Sequence, residues 1–153
     1  MLGTAIKQSI NDCVLCWLAS VNARSEPNVS PKEMFVSFDD ETLLIANIAS
    51  PKSVANIRSN PSVCVSFVDI FRQKGFKLRG TARIVEKSDK GFDVRLSALH
   101  QLGGEEFPVA SIIEVTVEAS EEIVAPSYRL FPQTTEQTQV EQAMKSYGVQ
   151  PRK

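Results

Sequence analysis

The strongest constraint on the fold is the segment Phe76–Val85, in which two kinds of side chain alternate. Apolar or small residues stand at every second position from Phe76 to Ile84, with Lys, Arg or Thr between them. Successive side chains of a β-strand point to opposite faces of a sheet. The segment therefore predicts a long strand with one buried face and one face in solvent.

Five further segments have the composition or the alternation of strands. They are Cys13–Val21, Asn28–Phe38, Leu43–Ile48, Val63–Val68 and Ile113–Glu118. Leu43–Ile48 is apolar on both faces, which is typical of a strand buried on both sides. Short turns separate most of these segments, so the strands are expected to pair antiparallel. The pattern predicts an α+β protein built on a small barrel or a strongly curled sheet.

Helices are predicted at four places. The first dozen residues form a short amphipathic helix, and Asp89–His100 forms another. Ser50 and Pro51 open a third helix, because serine caps free N–H groups and proline suits the first helical position. A last helix at 135–147 is closed by Gly148. A chain of 153 residues with no repeat or linker fits a single domain.

The charges nearly cancel, at 17 Lys and Arg against 18 Asp and Glu. This balance argues against a protein that binds nucleic acids or membranes through a basic surface. Six basic residues nevertheless lie in Asp69–Lys87 and six glutamates in Gln101–Tyr128. We expect solvated or mutually paired hairpin faces. The alternative is that the basic segment helps to hold an anionic ligand.

Three cysteines make no disulfide framework and indicate a reducing compartment. Met1–Asn11 lacks the long apolar stretch of a signal peptide, so we expect a cytoplasmic protein. Cys13 and Cys16 have the CxxC spacing of redox and metal sites. There is no second such pair, and His100 is the only histidine. The apolar surroundings of the pair favour a structural role.

The segment Asn47–Lys52 combines groups that attract an anion. A strand runs into a helix whose first turn carries the Ser50 hydroxyl and the Lys52 ammonium, with Asn56 one turn further on. Helix N-termini attract anions because their free N–H groups and the macrodipole point outward. Lysine in a first turn disfavours the helix by ~0.3–1 kcal/mol, which makes sense if it faces a phosphate. The alternative is an ordinary serine cap beside a solvated lysine.

A second polar segment continues a strand face. The face that carries Met34 is apolar on one side of that residue and turns polar on the other, at Lys32, Ser30 and Asn28. Pro31 has no N–H for a β-ladder, so its backbone is expected at a sheet edge or a bulge. An exposed edge suits a planar ligand laid against the main chain. The alternative is a strand that frays beyond the core.

Five short strings resemble the pyridoxamine 5′-phosphate oxidase family of FMN-binding split barrels. They stand in the family's order between Cys13 and Val85, and a similar tail runs from Pro126 to Gly148. The strings are Pro27–Lys32, Asp39–Asp40, Ser50–Lys52 with Asn56, Asn60–Val63 and Leu78–Ala82. No string is specific alone, whereas their order and spacing are.

The resemblance implies one FMN-binding split-barrel domain over residues 1–153, mainly β within the α+β class. Its six antiparallel strands carry short flanking helices and a C-terminal helix. A homodimer with two FMN molecules in clefts between its subunits is also implied. Ser50, Lys52 and Asn56 are placed near the FMN phosphate. The residues placed beside the ring or on the neighbouring ligand-lining strand are Ser30, Pro31, Lys32, Glu33, Met34, Ile45 and Ala46.

Two departures from the family's oxidase bear on chemistry. Pro51 replaces an arginine of the phosphate-binding string, which removes one charged contact. The oxidase's C-terminal tryptophan is absent, since the only tryptophan is Trp17, so vitamin-forming activity is not carried over.

The sequence predicts an FMN-dependent oxidoreductase that acts on a small organic molecule. The flavin would perform the electron chemistry while the protein binds and orients. One alternative is a flavin carrier or sensor without turnover. Others are a split barrel that binds F420 or haem, and a structural dimerisation domain.

Overall fold

A computed structural model describes residues 1–103 and 107–151. The helices are α1 (Thr4–Asp12), α2 (Pro51–Ser59), α3 (Phe92–Gly103), α4 (Ser127–Leu130) and α5 (Glu136–Tyr147). The strands are β1 (Cys16–Val21), β2 (Pro27–Lys32), β3 (Phe35–Ser37), β4 (Thr42–Asn47), β5 (Ser62–Asp69), β6 (Lys74–Val85) and β7 (Ser111–Val124). None of these helices is long and apolar enough to cross a membrane.

The strands form one antiparallel sheet in the order β2-β1-β5-β6-β7-β4-β3. β2 and β3 follow each other in the chain but lie at opposite edges, so the sheet must curl until its edges approach. The Ala46 N–H donates to the Met34 carbonyl at 2.9 Å, which ties the β2–β3 connection to β4. The fold is therefore the split β-barrel that the resemblance implies.

The prediction of six strands was wrong by one, because the segment Asn28–Phe38 contains both β2 and β3. The chain breaks at Glu33 and Met34. Met34 and Phe35 are both buried, Met34 under α3 and Phe35 inside the barrel. Side chains of adjacent residues point to opposite faces of a sheet, so Met34 and Phe35 enter two different cores. The break carries the chain from one sheet edge to the other.

β4 separates two hydrophobic cores. Leu43 and Ile45 are buried in the barrel interior, while Leu44 and Ala46 pack in a second core that includes residues of α3. The prediction that this strand is apolar on both faces is confirmed. Its carboxyl end is thereby held rigidly from two sides.

Two helix boundaries show the role of glycine. The helix predicted at Asp89–His100 begins only at Phe92, because Gly91 has a left-handed φ of 86° that a helix start cannot contain. Gly148 ends α5 with a φ of 66°, as predicted. Thr135 caps that helix by accepting the Thr138 N–H at 3.1 Å.

The basic and acidic segments lie on the paired strands β6 and β7. Lys77 Nζ lies 3.0 Å from Glu121, and an Arg83 nitrogen lies 2.7 Å from Glu114. Mutual pairing of the two segments, one of the predicted outcomes, is confirmed.

Candidate cofactor site

A cavity of about 340 Å³ lies at the split in the barrel, between β2, the β2–β3 connection and the end of β4. Small-molecule sites commonly measure ~300–1,000 Å³. The lining residues are Leu15, Pro31, Lys32, Glu33, Met34, Ala46, Ile48, Ala49, Ser50 and Phe107. Most of the residues predicted from the sequence to bind a ligand thus meet at one cavity.

Pro31 lies on an edge strand. β2 pairs with β1 alone, and Pro31 stands opposite Trp17 in that register. A proline in the middle of a sheet would leave a ladder bond unmade, but at an edge it does not. The predicted edge position is confirmed, and it leaves the outer rim of β2 open beside the cavity.

Lys32 is the most unusual residue of the cavity, since only 6% of it is exposed. Its ammonium donates to the hydroxyls of Ser30 and Ser50, each at 2.7 Å. None of the ion pairs in the described part of the chain includes it. Burial lowers the pKa of Lys32, because loss of hydration disfavours the charged form. A cation with no counter-ion among the described residues therefore borders the cavity.

The hydroxyls around Lys32 have donor protons to spare. An ammonium has three N–H donors and Lys32 uses two, so a third is available. Ser50 accepts from Lys32 and keeps its own proton for another acceptor. The hydroxyls of Ser30 and Ser53 lie 3.0 Å apart, so one donates to the other and one proton is left. Several donors around one cation favour an anion with several oxygens, such as a phosphate.

The Ser50 side chain does not cap α2, and the prediction that it does was wrong. Its hydroxyl is engaged by Lys32, and its N–H donates to Asn47 Oδ1 at 3.0 Å. Pro51 opens the helix, as predicted, so the next N–H groups belong to Lys52 and Ser53. No side chain of the described residues caps them, which leaves a helix N-terminus able to attract an anion next to Ser50.

Four predicted residues do not line the cavity. Lys52 is exposed in the first turn of α2. Ser30 lies two residues before Lys32 on β2, and its hydroxyl accepts from the Lys32 ammonium. Ile45 is buried in the barrel core. Asn56 is buried as well, and its amide donates to Ser20 Oγ at 3.1 Å.

Sequence reasoning missed the cavity walls contributed by Leu15 and Phe107, and it gave no individual role to Asn47, Ile48 and Ala49 within the segment Asn47–Lys52. It also missed the buried polar residues Ser53 and Ser111. One signal was present in the sequence, where Lys32 stands two positions before apolar Met34. That spacing indicates a partly buried lysine, but it does not pair Lys32 with Ser50.

The structure buries both thiols of the CxxC pair. Cys13 and Cys16 are buried free thiols. Burial raises the pKa of both, that of Cys16 to about 12, so both stay protonated at neutral pH. Within residues 1–103 and 107–151, no group of three His, Cys, Asp or Glu side chains could hold a metal ion. The structural role expected from the sequence stays a prediction.

The family comparison covers most of the chain. Residues 2–124 match the family model described as pyridoxamine 5′-phosphate oxidase. The match includes every strand of the sheet and every residue of the cavity. No curated protein matches the chain significantly.

Solved structures share the fold. HupZ of Group A Streptococcus is 26% identical with a TM-score of 0.68, and the match covers 78% of this chain and 92% of that one. An FMN-binding protein from Syntrophomonas wolfei is 15% identical with a TM-score of 0.66, over 78% and 84% of the two chains. A structure named F420 reductase is 22% identical with a TM-score of 0.58, over 78% and 98%.

Proposed function

The chain belongs to the pyridoxamine 5′-phosphate oxidase family, and on this premise we propose that it binds FMN in the cavity at the barrel split. The observation that carries the proposal is Lys32, a buried ammonium with two hydroxyl neighbours and no counter-ion among the residues that the structure describes. A buried charge is costly unless it is paired. The phosphate of FMN supplies the missing charge and accepts the spare donor protons.

The phosphate would lie between Lys32, Ser50 and the N-terminus of α2. Lys52, exposed in the first turn of that helix, adds positive potential at the outer rim. Pro51 removes the arginine of the family's phosphate-binding string, and Lys32 supplies a cation in its place. A cation on β2 thus takes the place of the arginine that α2 lacks.

The flavin ring would lie against the apolar wall of the cavity. Met34, Ala46, Ile48 and Phe107 form that wall, and the main chain of Pro31–Met34 runs along it. Apolar walls with a few fixed polar groups are typical of cofactor sites. Main-chain groups at the end of β2 can then meet the polar edge of the ring.

We further propose that the protein is an oxidoreductase acting on a small organic molecule. Among the described residues that line the cavity, Lys32 and Glu33 alone are acids or bases. Glu33 is exposed at the mouth of the cavity, and Lys32 would pair with the phosphate. Bound FMN would accept and donate the electrons. The chain's own residues would hold the cofactor and shield one of its faces.

The functional unit we propose is a homodimer. The outer face of β2, β1 and β5 carries no charged side chain and consists of Pro27, Val29, Pro31, Trp17, Ala19, Val21, Ser62, Cys64, Ser66 and Val68. Val29 is 57% exposed and Trp17 47%. Exposed apolar patches of this kind mark interaction surfaces.

The same face borders the cavity. Pro31 lines the cavity and stands beside Trp17, and Leu15 lines both the cavity and an apolar groove with Trp17 and Ile70. A second copy seated on this face would close the open side of the cofactor site. An obligate interface should bury about 2,000 Å² or more and be apolar at its centre.

The first experiment identifies the ligand. Protein purified without denaturation is unfolded and the released molecule is identified by mass spectrometry, with FMN expected and F420 or haem contradicting the proposal. The stripped protein is then titrated with FMN and riboflavin. FMN should bind about 10- to 150-fold more tightly, because a contact with a charged group is worth ~1.5–3 kcal/mol.

A second experiment separates an enzyme from a carrier. NADH or NADPH is added to the FMN-loaded protein, and flavin absorbance is followed before and after a candidate acceptor is added. Reduction followed by reoxidation at a catalytic rate supports an oxidoreductase. Flavin that stays oxidised with every donor tested supports a carrier or sensor instead.

A further inference from the structure

We infer that Asn47 is the positioning residue of the phosphate subsite and that it acts by holding Ser50 against Lys32. The inference rests on the proposed FMN function. Asn47 ends β4 and is only 8% exposed, but it does not line the cavity. It therefore influences a ligand through the residues that it holds.

Asn47 makes three hydrogen bonds with groups near the cavity. Its Oδ1 accepts the Ser50 N–H at 3.0 Å, and its Nδ2 donates to Ser111 Oγ at 2.8 Å. Its main-chain carbonyl accepts the Ala110 N–H at 2.8 Å. The side-chain amide thus uses both its acceptor and a donor inside the protein.

These bonds join two walls of the site. Ala49 and Ser50 form the wall beside the proposed phosphate, and Phe107 belongs to the segment that leads into β7. Asn47 and Ser111 are the terminal pair of the β4–β7 ladder. The Ser111 hydroxyl anchors the amide, and the amide anchors the turn to Ser50.

The position of Ser50 matters because its hydroxyl has two tasks. It accepts from Lys32 at 2.7 Å and keeps its own proton for the ligand. The two residues between Asn47 and the serine, Ile48 and Ala49, lie outside helix and strand. Without the Asn47 acceptor, the turn loses the bond that fixes its end, and the hydroxyl leaves the site. In the wild-type structure, a chain of hydrogen bonds runs from Ser111 through Asn47 and Ser50 to Lys32.

A double-mutant cycle tests this inference. The quantity measured is the ratio of the riboflavin Kd to the FMN Kd, because loss of general structure weakens both flavins and leaves the ratio unchanged. Ser50→Ala and Asn47→Ala should each lower the ratio by about tenfold, the value of one hydrogen bond to a charged group. If Asn47 acts through Ser50, the double variant should lower it no further than Asn47→Ala alone.

Ser111 supplies a milder test should Asn47→Ala fail to fold. Ser111→Ala removes the acceptor of the Asn47 amide and should lower the ratio, whereas Ser111→Thr keeps a hydroxyl and should preserve it. If the effects of the two substitutions multiply, so that the double variant lowers the ratio about a hundredfold, the inference is overturned. An unchanged ratio in Ser111→Ala also overturns it. A wild-type protein that does not prefer FMN refutes the proposed function itself, and the role of Asn47 falls with it.

Discussion

The ammonium of Lys32 lies 2.7 Å from the hydroxyl of Ser50 and joins the edge strand β2 to the start of α2. The two residues belong to segments that the sheet places on either side of the barrel split. Their contact brings a cation, hydroxyl donors and a helix N-terminus to one end of a mostly apolar cavity. Several predictions depend on that arrangement.

Lys32→Met should weaken FMN by about 10- to 150-fold and leave riboflavin within a few-fold, since only FMN carries the phosphate. Methionine fills a similar volume without a charge. Fluorescence titration of both flavins measures the effect. Lys90→Met, a change of an exposed lysine away from the cavity, serves as the control. Lys52→Met should have a smaller effect than Lys32→Met, because Lys52 is exposed; the reverse order would move the phosphate to the outer rim.

The pH dependence of FMN binding should follow Lys32. Burial lowers its pKa, so the amine becomes neutral at a lower pH than an ordinary lysine, and FMN affinity should fall as pH rises through that lowered pKa. Stability of the ligand-free protein should change in the opposite sense. The unfolded chain binds more protons than the folded one between the lowered pKa and the ordinary value, so stability rises with pH there.

Titrations and urea unfolding above about pH 7.5 keep the phosphate doubly charged, because its second pKa is ~6. Lys32→Met should lose both pH effects together. A wild-type FMN affinity that stays constant up to the ordinary lysine range would show that Lys32 is not the partner of the phosphate.

Trp17→Glu should convert the proposed homodimer into a monomer, because a carboxylate at the centre of an apolar interface loses its hydration without a partner. Sedimentation of both proteins at micromolar concentration measures this. Val94→Glu is the control, since Val94 is an exposed apolar residue like Trp17 but lies on α3. A wild-type protein that sediments as a folded monomer contradicts the dimer altogether.

Gly80→Ala should destabilise the fold by about 3 kcal/mol or more, because overpacking against main chain cannot relax by a rotamer change. A Cβ at Gly80 would lie 1.9 Å from the main-chain oxygen of Thr116, at the register shift between β6 and β7. The midpoint of urea unfolding measures the loss. Gly3→Ala meets open space and should cost less than about 1 kcal/mol as a helix cap change. Equal midpoints for the two variants would contradict the close approach.

Much of the fold was predictable from local pattern. Alternation in Phe76–Val85 identified β6, and Gly148 identified the end of α5, because both signals depend on a few neighbouring residues. The apolar run at Leu43–Ile48 also predicted a strand buried on both faces. The separate strand β3 was not predictable in this way. The composition typical of a strand continues across Glu33, so it gives no sign that the chain changes from one sheet edge to the other.

The sequence by itself determined which residues form strands and helices, and which short strings resemble a flavin-binding family. Tertiary structure alone decided the roles of Lys32, Ser50 and Asn47. Whether a lysine is solvated or buried depends on what covers its strand face, and here α2 and the end of β4 cover it. The local sequence predicts that Ser50 caps a helix, and only the fold shows that Lys32 contacts its hydroxyl across the split. Local propensity cannot encode that contact, because curling of the whole sheet brings the two segments together.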